Sequence, residues 1–279
     1  MRPFCWVVQN KRSGDAKVPN LVSDDAVLRY EVSGSGHDLV LLHPFPLNHH
    51  FWDEVVPALS GRYRVIRPDL RGHGQSELGE GAATMEKHAA DLLRLCDAEK
   101  IGKAAFVGVS IGGYALFEFW RRHGDRVDAL VLSNTRASAE TAESSANRLR
   151  IADQVLKEGP AAFIDDMLGK LFASATKSER PDVIEAARKM MQSMSPEDIA
   201  GVQRGMADRP DSIEILSTIN VPTLVIAGEE DIPPLSAAEL MRDSIPGSTL
   251  HVIPKAGHYA AMERPEEYSG LLLRFADSV

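Results

Sequence analysis

The sequence predicts an α/β protein with a mostly parallel, doubly wound sheet and an all-helical insertion. Short β-branched or apolar runs alternate with helical patterns along most of the chain, and such alternation is typical of parallel sheets covered by helices. Several runs lack a polar face, which indicates strands buried on both sides. The predicted strands are Val27–Val32, Leu39–Leu42, Arg64–Arg67, Ala104–Val107, Ala129–Leu132, Thr223–Ala227 and Thr249–Ile253.

Helical patterns fill most intervals between these strands. The helix Ile111–His123 is expected to end at Gly124, because glycine commonly terminates helices. Ligands of doubly wound sheets bind beyond the carboxyl ends of the strands, so functional residues are expected in the loops that follow the strands. The predicted core helices are Phe51–Leu59, Met85–Lys100, Ile111–His123, Ser236–Ser244 and Pro265–Asp277.

The alternation stops between about Thr135 and Ser212, where no strand pattern occurs. We therefore predict a helical cap over residues 135–212 and a core formed by residues 23–134 and 213–279. Methionines in the cap suit an adaptable apolar pocket, or they fill the cap's own core. The predicted cap helices are Glu143–Glu158, Pro160–Leu171, Arg180–Met194 and Pro196–Ala207, and the methionines are Met167, Met190, Met191, Met194 and Met206.

Composition limits the functional classes. The 279 residues suffice for one large α/β domain with an insertion. A formal net charge of −9 argues against nucleic-acid binding, and no segment approaches the length of a transmembrane helix, so no membrane partner is expected. Cys5 and Cys96 indicate no disulfide framework, which favours a cytoplasmic location. Residues Met1 to about Val22 are expected to form an N-terminal extension, and no pattern indicates an oligomeric state.

The pentapeptide Gly108-Val109-Ser110-Ile111-Gly112 lies between a predicted strand and a predicted helix. A Gly-x-Ser-x-Gly sequence at such a junction is the nucleophile-elbow pattern. The turn is so tight that only glycines fit at its flanks, and it lifts the serine hydroxyl out of the sheet. The simpler alternative is a helix N-cap serine. We predict that Ser110 is a catalytic nucleophile.

A serine nucleophile needs a general base, normally a histidine oriented by a carboxylate. His258 follows the last predicted strand in Pro254-Lys255-Ala256-Gly257-His258, where a glycine-containing loop can bring the imidazole to the sheet edge. Asp231 also follows a strand, and the chain order Ser110, Asp231, His258 matches one known order of catalytic triads. The rival histidines are His43, His73, His123 and His251, and the rival carboxylates are Glu229 and Glu230.

Negative charge on a tetrahedral intermediate needs preorganised hydrogen-bond donors. The backbone N–H of Ile111, directly after the nucleophile, is one candidate. The second is expected in His43-Pro44-Phe45-Pro46, which follows a predicted strand. The two prolines have no N–H, so only His43 and Phe45 can donate there. We predict Phe45 and Ile111 as the oxyanion-hole donors, with a purely structural turn as the alternative for the proline-containing segment.

Together these features resemble the α/β-hydrolase fold superfamily over roughly Leu28 to Ala276. The likeness rests on the His43–Pro46 segment, on Arg67-Pro68-Asp69-Leu70-Arg71-Gly72-His73-Gly74-Gln75-Ser76, on the elbow, and on the loops of Asp231 and His258. The resemblance implies that the Arg67–Ser76 segment is structural, so His73 is assigned no catalytic role. Pro44 stands where the family usually has glycine, which leaves the Phe45 N–H in place.

Within the superfamily the chain looks most like small capped serine hydrolases similar to 3-oxoadipate enol-lactonases, carboxylesterases and non-haem haloperoxidases or perhydrolases. The resemblance implies a serine nucleophile, no cofactor and no metal, and hydrolysis of a small ester or lactone through an acyl-enzyme. Ser110 argues against haloalkane dehalogenases and epoxide hydrolases, which carry aspartate there. Enol-lactone hydrolysis, C–C bond hydrolysis, perhydrolysis and ligand reception with little turnover stay open. A carboxylated substrate would favour a cationic anchor, for which the cap offers Arg148, Arg150 and Arg204.

Overall fold

The computed structural model describes residues 19–277, and its centre is an eight-stranded sheet. The strands are β1 (Asn20–Ser23), β2 (Ala26–Ser33), β3 (His37–Leu42), β4 (Tyr63–Pro68), β5 (Ala104–Val109), β6 (Val127–Ser133), β7 (Thr223–Gly228) and β8 (Thr249–Ile253). Their order is β1-β2-β4-β3-β5-β6-β7-β8. The strands from β3 to β8 pair in parallel, and β1 and β2 form the antiparallel edge. The predicted α/β class is confirmed.

Every predicted strand is present, and β1 is an addition that the sequence analysis missed. β1 has only four residues, and its alternating exposed and buried positions are too few to give a pattern. It lies at the end of the range predicted as an extension, Met1 to about Val22. Residues 1–18 of that range, with Cys5, lie outside the described residues.

Two apolar cores lie on opposite faces of the sheet, because successive side chains of a strand point to opposite sides. In β3, Val40 and Leu42 belong to one core, while Leu39 and Leu41 belong to the other. This double burial explains why the parallel strands read as continuous apolar runs.

Helices cover both faces. The core helices are α1 (Val56–Leu59), α2 (Met85–Ala98), α3 (Ile111–His123), α10 (Leu235–Ser244), α11 (Ala260–Glu263) and α12 (Pro265–Ala276). Buried residues of α2, α3 and α10 join the core on one face, and those of α1 and α12 join the core on the other. The predicted helix Phe51–Leu59 was wrong in its continuity: a 3-10 turn, His49–Trp52, precedes α1. Pro57 lacks an N–H and clashes with the preceding turn, so one helix cannot run through this segment.

The segment between β6 and β7 contains helices and no strand within the described chain. These helices are α4 (Ala142–Glu158), α5 (Ala161–Leu171), α6 (Ser174–Glu179), α7 (Pro181–Gln192), α8 (Pro196–Ala207) and α9 (Ile213–Leu216). The predicted all-helical cap insertion is therefore present, with α6 and α9 as additions. The boundaries 135 and 212 stay predictions. The apolar side of the cap continues the two cores of the sheet: Met194 and Met206 are buried in one, and Met190 and Met191 in the other.

Candidate active site

The candidate site lies at the carboxyl edge of four neighbouring parallel strands. Ser110 follows β5, Asn134 follows β6, the Asp231 loop follows β7 and the His258 loop follows β8. Adjacent strands are about 4.8 Å apart, so the ends of these strands present their residues side by side. The sheet order, rather than chain proximity, therefore assembles the site.

Ser110 has the backbone geometry of a strained elbow. Its φ of 54° and ψ of −113° lie outside the usual regions for an L residue, a conformation that costs of the order of 1–3 kcal/mol and is found mainly at functional sites. Three bonds stabilise this turn through the Ser110 carbonyl oxygen, which accepts from Gly113 N (2.9 Å), Tyr114 N (3.2 Å) and Thr135 Oγ1 (2.9 Å). The peptide N–H of Ser110 donates to the Ser133 carbonyl of β6 at 3.1 Å.

The glycines of the elbow are required by close backbone approach. A Cβ on Gly108 would lie 2.6 Å from the carbonyl of Gly112, and one on Gly112 would lie 2.7 Å from the carbonyl oxygen of Leu42. Both distances are shorter than any stable contact between a methyl carbon and a backbone oxygen. Each glycine of the pentapeptide thus permits strand and helix to pack at the turn, as the sequence pattern predicts.

His258 and Asp231 form a close hydrogen-bonded pair. His258 Nδ1 lies 2.6 Å from Asp231 Oδ1, and the two side chains are 9% and 3% exposed. Ile232 N also donates to Asp231 Oδ1 at 2.7 Å. Because a carboxylate only accepts, the pair fixes the proton on Nδ1 and leaves Nε2 as the free basic nitrogen.

Asn134 is a site residue that the sequence analysis missed. Its Nδ2 donates to Asp231 Oδ2 at 2.8 Å and to the carbonyl of Gly257 at 3.2 Å, so one amide joins the Asp231 loop to the His258 loop. Ser133 Oγ donates to Asn134 Oδ1, which fixes the amide orientation. Asn134 has a φ of 49°, a left-handed conformation that asparagine tolerates better than most residues. An asparagine directly after a buried strand was the available signal.

The predicted nucleophile and base occupy the same edge but are not hydrogen-bonded to each other. In residues 19–277, no hydrogen bond joins Ser110 Oγ to His258 or to another side chain. Such contacts are often long in free enzymes and tighten when substrate binds. The structure thus brings Asp231 and His258 into direct contact and leaves the Ser110 hydroxyl free.

The predicted oxyanion donors also lie at this edge. Among the hydrogen bonds of the described chain, none uses the backbone N–H of Phe45 or of Ile111. Tyr259, next to His258, donates its hydroxyl to the Phe45 carbonyl at 3.2 Å, which attaches the Phe45 turn to the His258 loop. Both N–H groups are therefore available for a developing oxyanion.

His43 and His73 are buried, neutral and structural. Burial, with the neighbouring His73, lowers the pKa of His43 to about 3, and burial lowers the pKa of His73 to about 4. His43 Nε2 accepts from Leu70 N at 2.9 Å, so its Nδ1–H donates to the carbonyl of Pro44 at 3.0 Å. His73 Nδ1 lies 3.0 Å from the carbonyl of Arg71. The His73 ring packs edge-on against the rings of both His43 and Phe45.

The other rivals have different partners. His123 ends α3, about 20 Å along the helix from Ser110, and His251 pairs with Glu267. Glu229 accepts from Lys255 N, and Glu230 accepts from the N–H and hydroxyl of Ser174. Among these carboxylates only Asp231 contacts His258.

The cap contributes an apolar surface beside Phe45. The ring of Phe163, on α5, lies 5.9 Å from the ring of Phe45. Phe163 and Met167 are partly buried and contact both apolar cores. Of the five cap methionines, Met167 is partly buried, whereas the other four are buried in the two cores.

The candidate cationic anchors of the cap have protein partners. Arg148 pairs with Glu140 at 3.1 Å, Arg204 pairs with Asp153 at 2.9 Å, and Arg150 donates to Asn147 Oδ1 at 2.6 Å. Arg150 and Arg204 lie on the exposed face of the cap, so the structure brings neither to the catalytic edge.

No group of three or more His, Cys, Asp and Glu side chains within residues 19–277 could hold a metal ion. None of the helices in this part of the chain combines the length and the apolar character needed to cross a lipid bilayer.

Comparison with known proteins gives one family and several relatives. The family model described as alpha/beta hydrolase fold matches residues 39–265. A thermophilic esterase from Thermogutta terrifontis, solved with malate bound, superposes with a TM-score of 0.91 at 38% identity, covering 94% of this chain and 99% of that chain. The 3-oxoadipate enol-lactonase 1 of Acinetobacter baylyi is 27% identical over 86% of this chain and 89% of its own. The 2-hydroxy-6-oxo-6-(2'-aminophenyl)hexa-2,4-dienoic acid hydrolase of Metapseudomonas resinovorans is 25% identical over 95% of this chain and 93% of its own.

Proposed function

The chain belongs to the alpha/beta hydrolase fold family, and on that premise we propose that it is a serine hydrolase of small carboxylic esters or lactones. Ser110 is the nucleophile, His258 the general base and Asp231 the carboxylate that orients it. The observation that carries this proposal is the 2.6 Å contact between His258 Nδ1 and Asp231 Oδ1, at the same sheet edge as a strained serine elbow.

The acid–base pair supports proton transfer from Ser110. With Nδ1–H bonded to Asp231, the imidazole presents Nε2 toward the substrate side, where it removes the Ser110 hydroxyl proton as the oxygen attacks the carbonyl carbon. The adjacent carboxylate stabilises the imidazolium that forms. His258 then donates that proton to the leaving alkoxide, and the ester C–O bond breaks.

The oxyanion of the tetrahedral intermediate accepts hydrogen bonds from Ile111 N–H and Phe45 N–H. One donor lies at the start of α3 and the other in the segment after β3, so they approach the carbonyl oxygen from two sides. Removing one such donor typically costs 10²–10³-fold in rate, or about 3–4 kcal/mol. The resulting acyl-enzyme is hydrolysed by water that His258 activates in the same way, and Ser110 regains its proton.

The relatives and the cap support the proposed substrate class. The relatives named above are an esterase, an enol-lactonase and a hydrolase of a dienoic acid, and one serine mechanism accounts for ester and lactone cleavage alike. We propose that residues 135–212 form the cap that covers the acyl pocket, with Phe163 and Met167 on its inner surface. Their apolar side chains favour an uncharged acyl chain next to Phe45.

The test compares initial hydrolysis rates of p-nitrophenyl esters from acetate to dodecanoate for wild type and for Ser110→Ala. We expect turnover by the wild type with one preferred chain length, and a loss of at least about 10⁴-fold in the variant. Equal rates for the two proteins would refute the nucleophile assignment. Tight binding of the esters without turnover by either protein would instead support a ligand receptor.

A further inference from the structure

Glu263 is a buried carboxylate that the proposed reaction does not use. It lies on α11, five positions after His258, and is 1% exposed. Oε1 accepts from Gly257 N at 2.9 Å, and Oε2 accepts from Ala173 N at 2.9 Å and from Thr176 Oγ1 at 2.7 Å. One carboxylate therefore joins the loop of the proposed base to two residues of the cap.

Both side-chain oxygens of Glu263 must act as hydrogen-bond acceptors in this arrangement. The partners of Glu263 are N–H and O–H donors, and none of the ion pairs within residues 19–277 includes its carboxylate. Burial raises the pKa of Glu263, and the hydrogen bonds oppose that rise. A glutamine has the same shape but would direct an NH₂ group at a donor on one side. Burying a carboxylate without a cationic partner is costly. Its hydrogen bonds to the His258 loop and to the cap are the interactions that offset this cost.

The loop before His258 is fixed on several sides. Gly257 donates its N–H to Glu263 and accepts at its carbonyl from Asn134 Nδ2. His258 N donates to the carbonyl of Leu171, at the end of α5, at 2.8 Å. A Cβ on Gly257 would lie 2.7 Å from Ala173 N and from Leu171 O, so the cap backbone lies directly on this loop.

The acid loop is bonded to the same part of the cap. Glu230, which precedes Asp231, accepts from the N–H and the hydroxyl of Ser174, both at 2.9 Å. The segment Leu171–Thr176 thus contacts the Asp231 loop through Glu230, and the His258 loop through Glu263 and through its own Leu171 carbonyl. This segment therefore borders both loops of the candidate site.

We infer that Glu263 is a positioning residue, which sets the His258 loop against the cap segment Leu171–Thr176 and thereby aims the imidazole at Ser110. The inference rests on the proposed function, because it assigns Glu263 a role through His258. A sub-ångström displacement of His258 changes the approach of Nε2 to the nucleophile, and misplacement of about 1 Å can cost about 10²-fold in rate.

The test combines three variants with two readouts. Glu263→Gln keeps the shape and removes one acceptor. Thr176→Val removes one cap-side donor and keeps the carboxylate. Glu266→Gln, an exposed position on the next helix, is the matched control. The readouts are kcat and KM for a p-nitrophenyl ester, and the downfield ¹H NMR resonance of the His258 Nδ1 proton that lies toward Asp231. Far-ultraviolet circular dichroism and thermal melting give the folded fraction.

We expect Glu263→Gln to lower kcat by about 10- to 100-fold, with KM within about threefold of wild type, and to shift or broaden the downfield resonance. Thr176→Val should lower kcat by about 3- to 10-fold, and Glu266→Gln should match wild type. A folded Glu263→Gln protein with the kcat and resonance of wild type overturns the inference. If that variant does not fold, a Thr176→Val protein indistinguishable from Glu266→Gln overturns it. Full activity of Ser110→Ala would instead contradict the proposed function, and the resonance would still report whether Glu263 positions His258.

Discussion

The two halves of the candidate site are built in different ways. On the nucleophile side, Ser110 is fixed by backbone contacts: its carbonyl accepts from the first turn of α3, and its flanking glycines lie against β3 and α3. On the acid–base side, Asp231 and His258 stand on loops that side chains join, Asn134 from β6 and Glu263 from α11. The first half is fixed mainly by backbone groups, including those of β3 and β6, and the second half by side chains that join separate loops.

This difference has a physical consequence. A backbone-encoded turn tolerates few changes and fails by misfolding, because each added Cβ meets a fixed carbonyl. A side-chain network can lose one hydrogen bond and keep the fold, but the geometry of the imidazole changes. Substitutions on the nucleophile side should therefore reduce stability and activity together, whereas those on the acid–base side should reduce activity more than stability.

The largest effect on the acid–base side is expected for Asp231→Asn. The amide removes the negative charge that fixes the Nδ1–H tautomer of His258, and the analogous change in a serine triad costs about 10⁴-fold in kcat. Steady-state kinetics on a p-nitrophenyl ester measure this loss, with thermal melting as the check on folding. Glu229→Gln, two residues earlier, is the control and should keep the wild-type kcat. Equal losses in both variants would contradict the assignment of Asp231.

On the nucleophile side, Gly112→Ala should disrupt the packing of the elbow most directly. The added methyl would lie 2.7 Å from the Leu42 carbonyl oxygen, so strand or helix must move. We expect the free energy of unfolding to fall by about 2–3 kcal/mol, with activity lost in parallel, as measured by urea unfolding and ester hydrolysis. Gly102→Ala, where a Cβ meets nothing within 4 Å, should leave both unchanged. A stable, active Gly112→Ala protein would show that the elbow is not sterically constrained.

Asn134→Ala refines the comparison, because it removes the two hydrogen bonds of Asn134 Nδ2 to Asp231 and Gly257, at the cost of a small backbone strain from alanine at a φ of 49°. Without these bonds the His258 imidazole can shift, and misplacement of about 1 Å can cost about 10²-fold in rate, so we expect kcat/KM to fall by about 10- to 100-fold while the protein stays folded. Kinetics and circular dichroism on the same sample separate the two effects. The exposed Asn147→Ala on α4 is the control. Unchanged kcat/KM in Asn134→Ala would remove Asn134 from the site.

The smallest effect on activity is expected for the buried histidines near the site, whose titration changes the stability of the fold. Burial lowers the pKa of His43 to about 3 and of His73 to about 4, and it lowers the pKa of His88 well below its usual value. The unfolded chain binds protons at these imidazoles below about pH 6.5, whereas the folded protein keeps them neutral down to the lowered pKa values. The free energy of unfolding therefore falls as the pH drops from 6.5 toward those values. Each should add about 1.4 kcal/mol per pH unit to the loss of stability below pH 6.

Urea unfolding between pH 4.5 and 6.5 measures this slope. Carboxylates change the free energy of unfolding mainly below this interval. Asp69 is an example: burial raises its pKa, but its bonds to His49 and other donors lower it to about 2. His88→Leu removes one buried imidazole that has no side-chain partner in the described chain, so its slope should be shallower than that of wild type. Parallel slopes would contradict a neutral His88 in the folded protein.

The same division explains how much the sequence could predict. The bounds of Ile111–His123, Pro196–Ala207 and Thr249–Ile253 were predicted as the structure has them, because strong apolar periodicity and local end signals define them. The Gly-x-Ser-x-Gly turn could also be predicted, because its signal is contained in five consecutive residues. Four-residue elements such as β1 and α11 were missed, since so few positions carry no periodicity.

The supporting side chains of the acid–base half could not be predicted. Glu263 stands in Ala-Ala-Met-Glu-Arg, a sequence that resembles an exposed helix end, and only the tertiary fold shows that it is buried beside Gly257 and Ala173. The continuity predicted for Phe51–Leu59 failed because the effect of Pro57 outweighed the apolar pattern. Contacts that span the core and the cap are a property of the assembled fold.

The central claim is that Ser110 is a nucleophile activated by His258. The most direct measurement is the rate and site of covalent labelling by a fluorophosphonate, followed by intact-mass and peptide mass spectrometry for wild type, Ser110→Ala and His258→Ala. We expect one adduct per chain on the peptide that contains Ser110, no adduct in Ser110→Ala, and labelling slowed by at least about 10³-fold in His258→Ala. An adduct on another residue, or equal labelling of His258→Ala and wild type, would contradict the central claim.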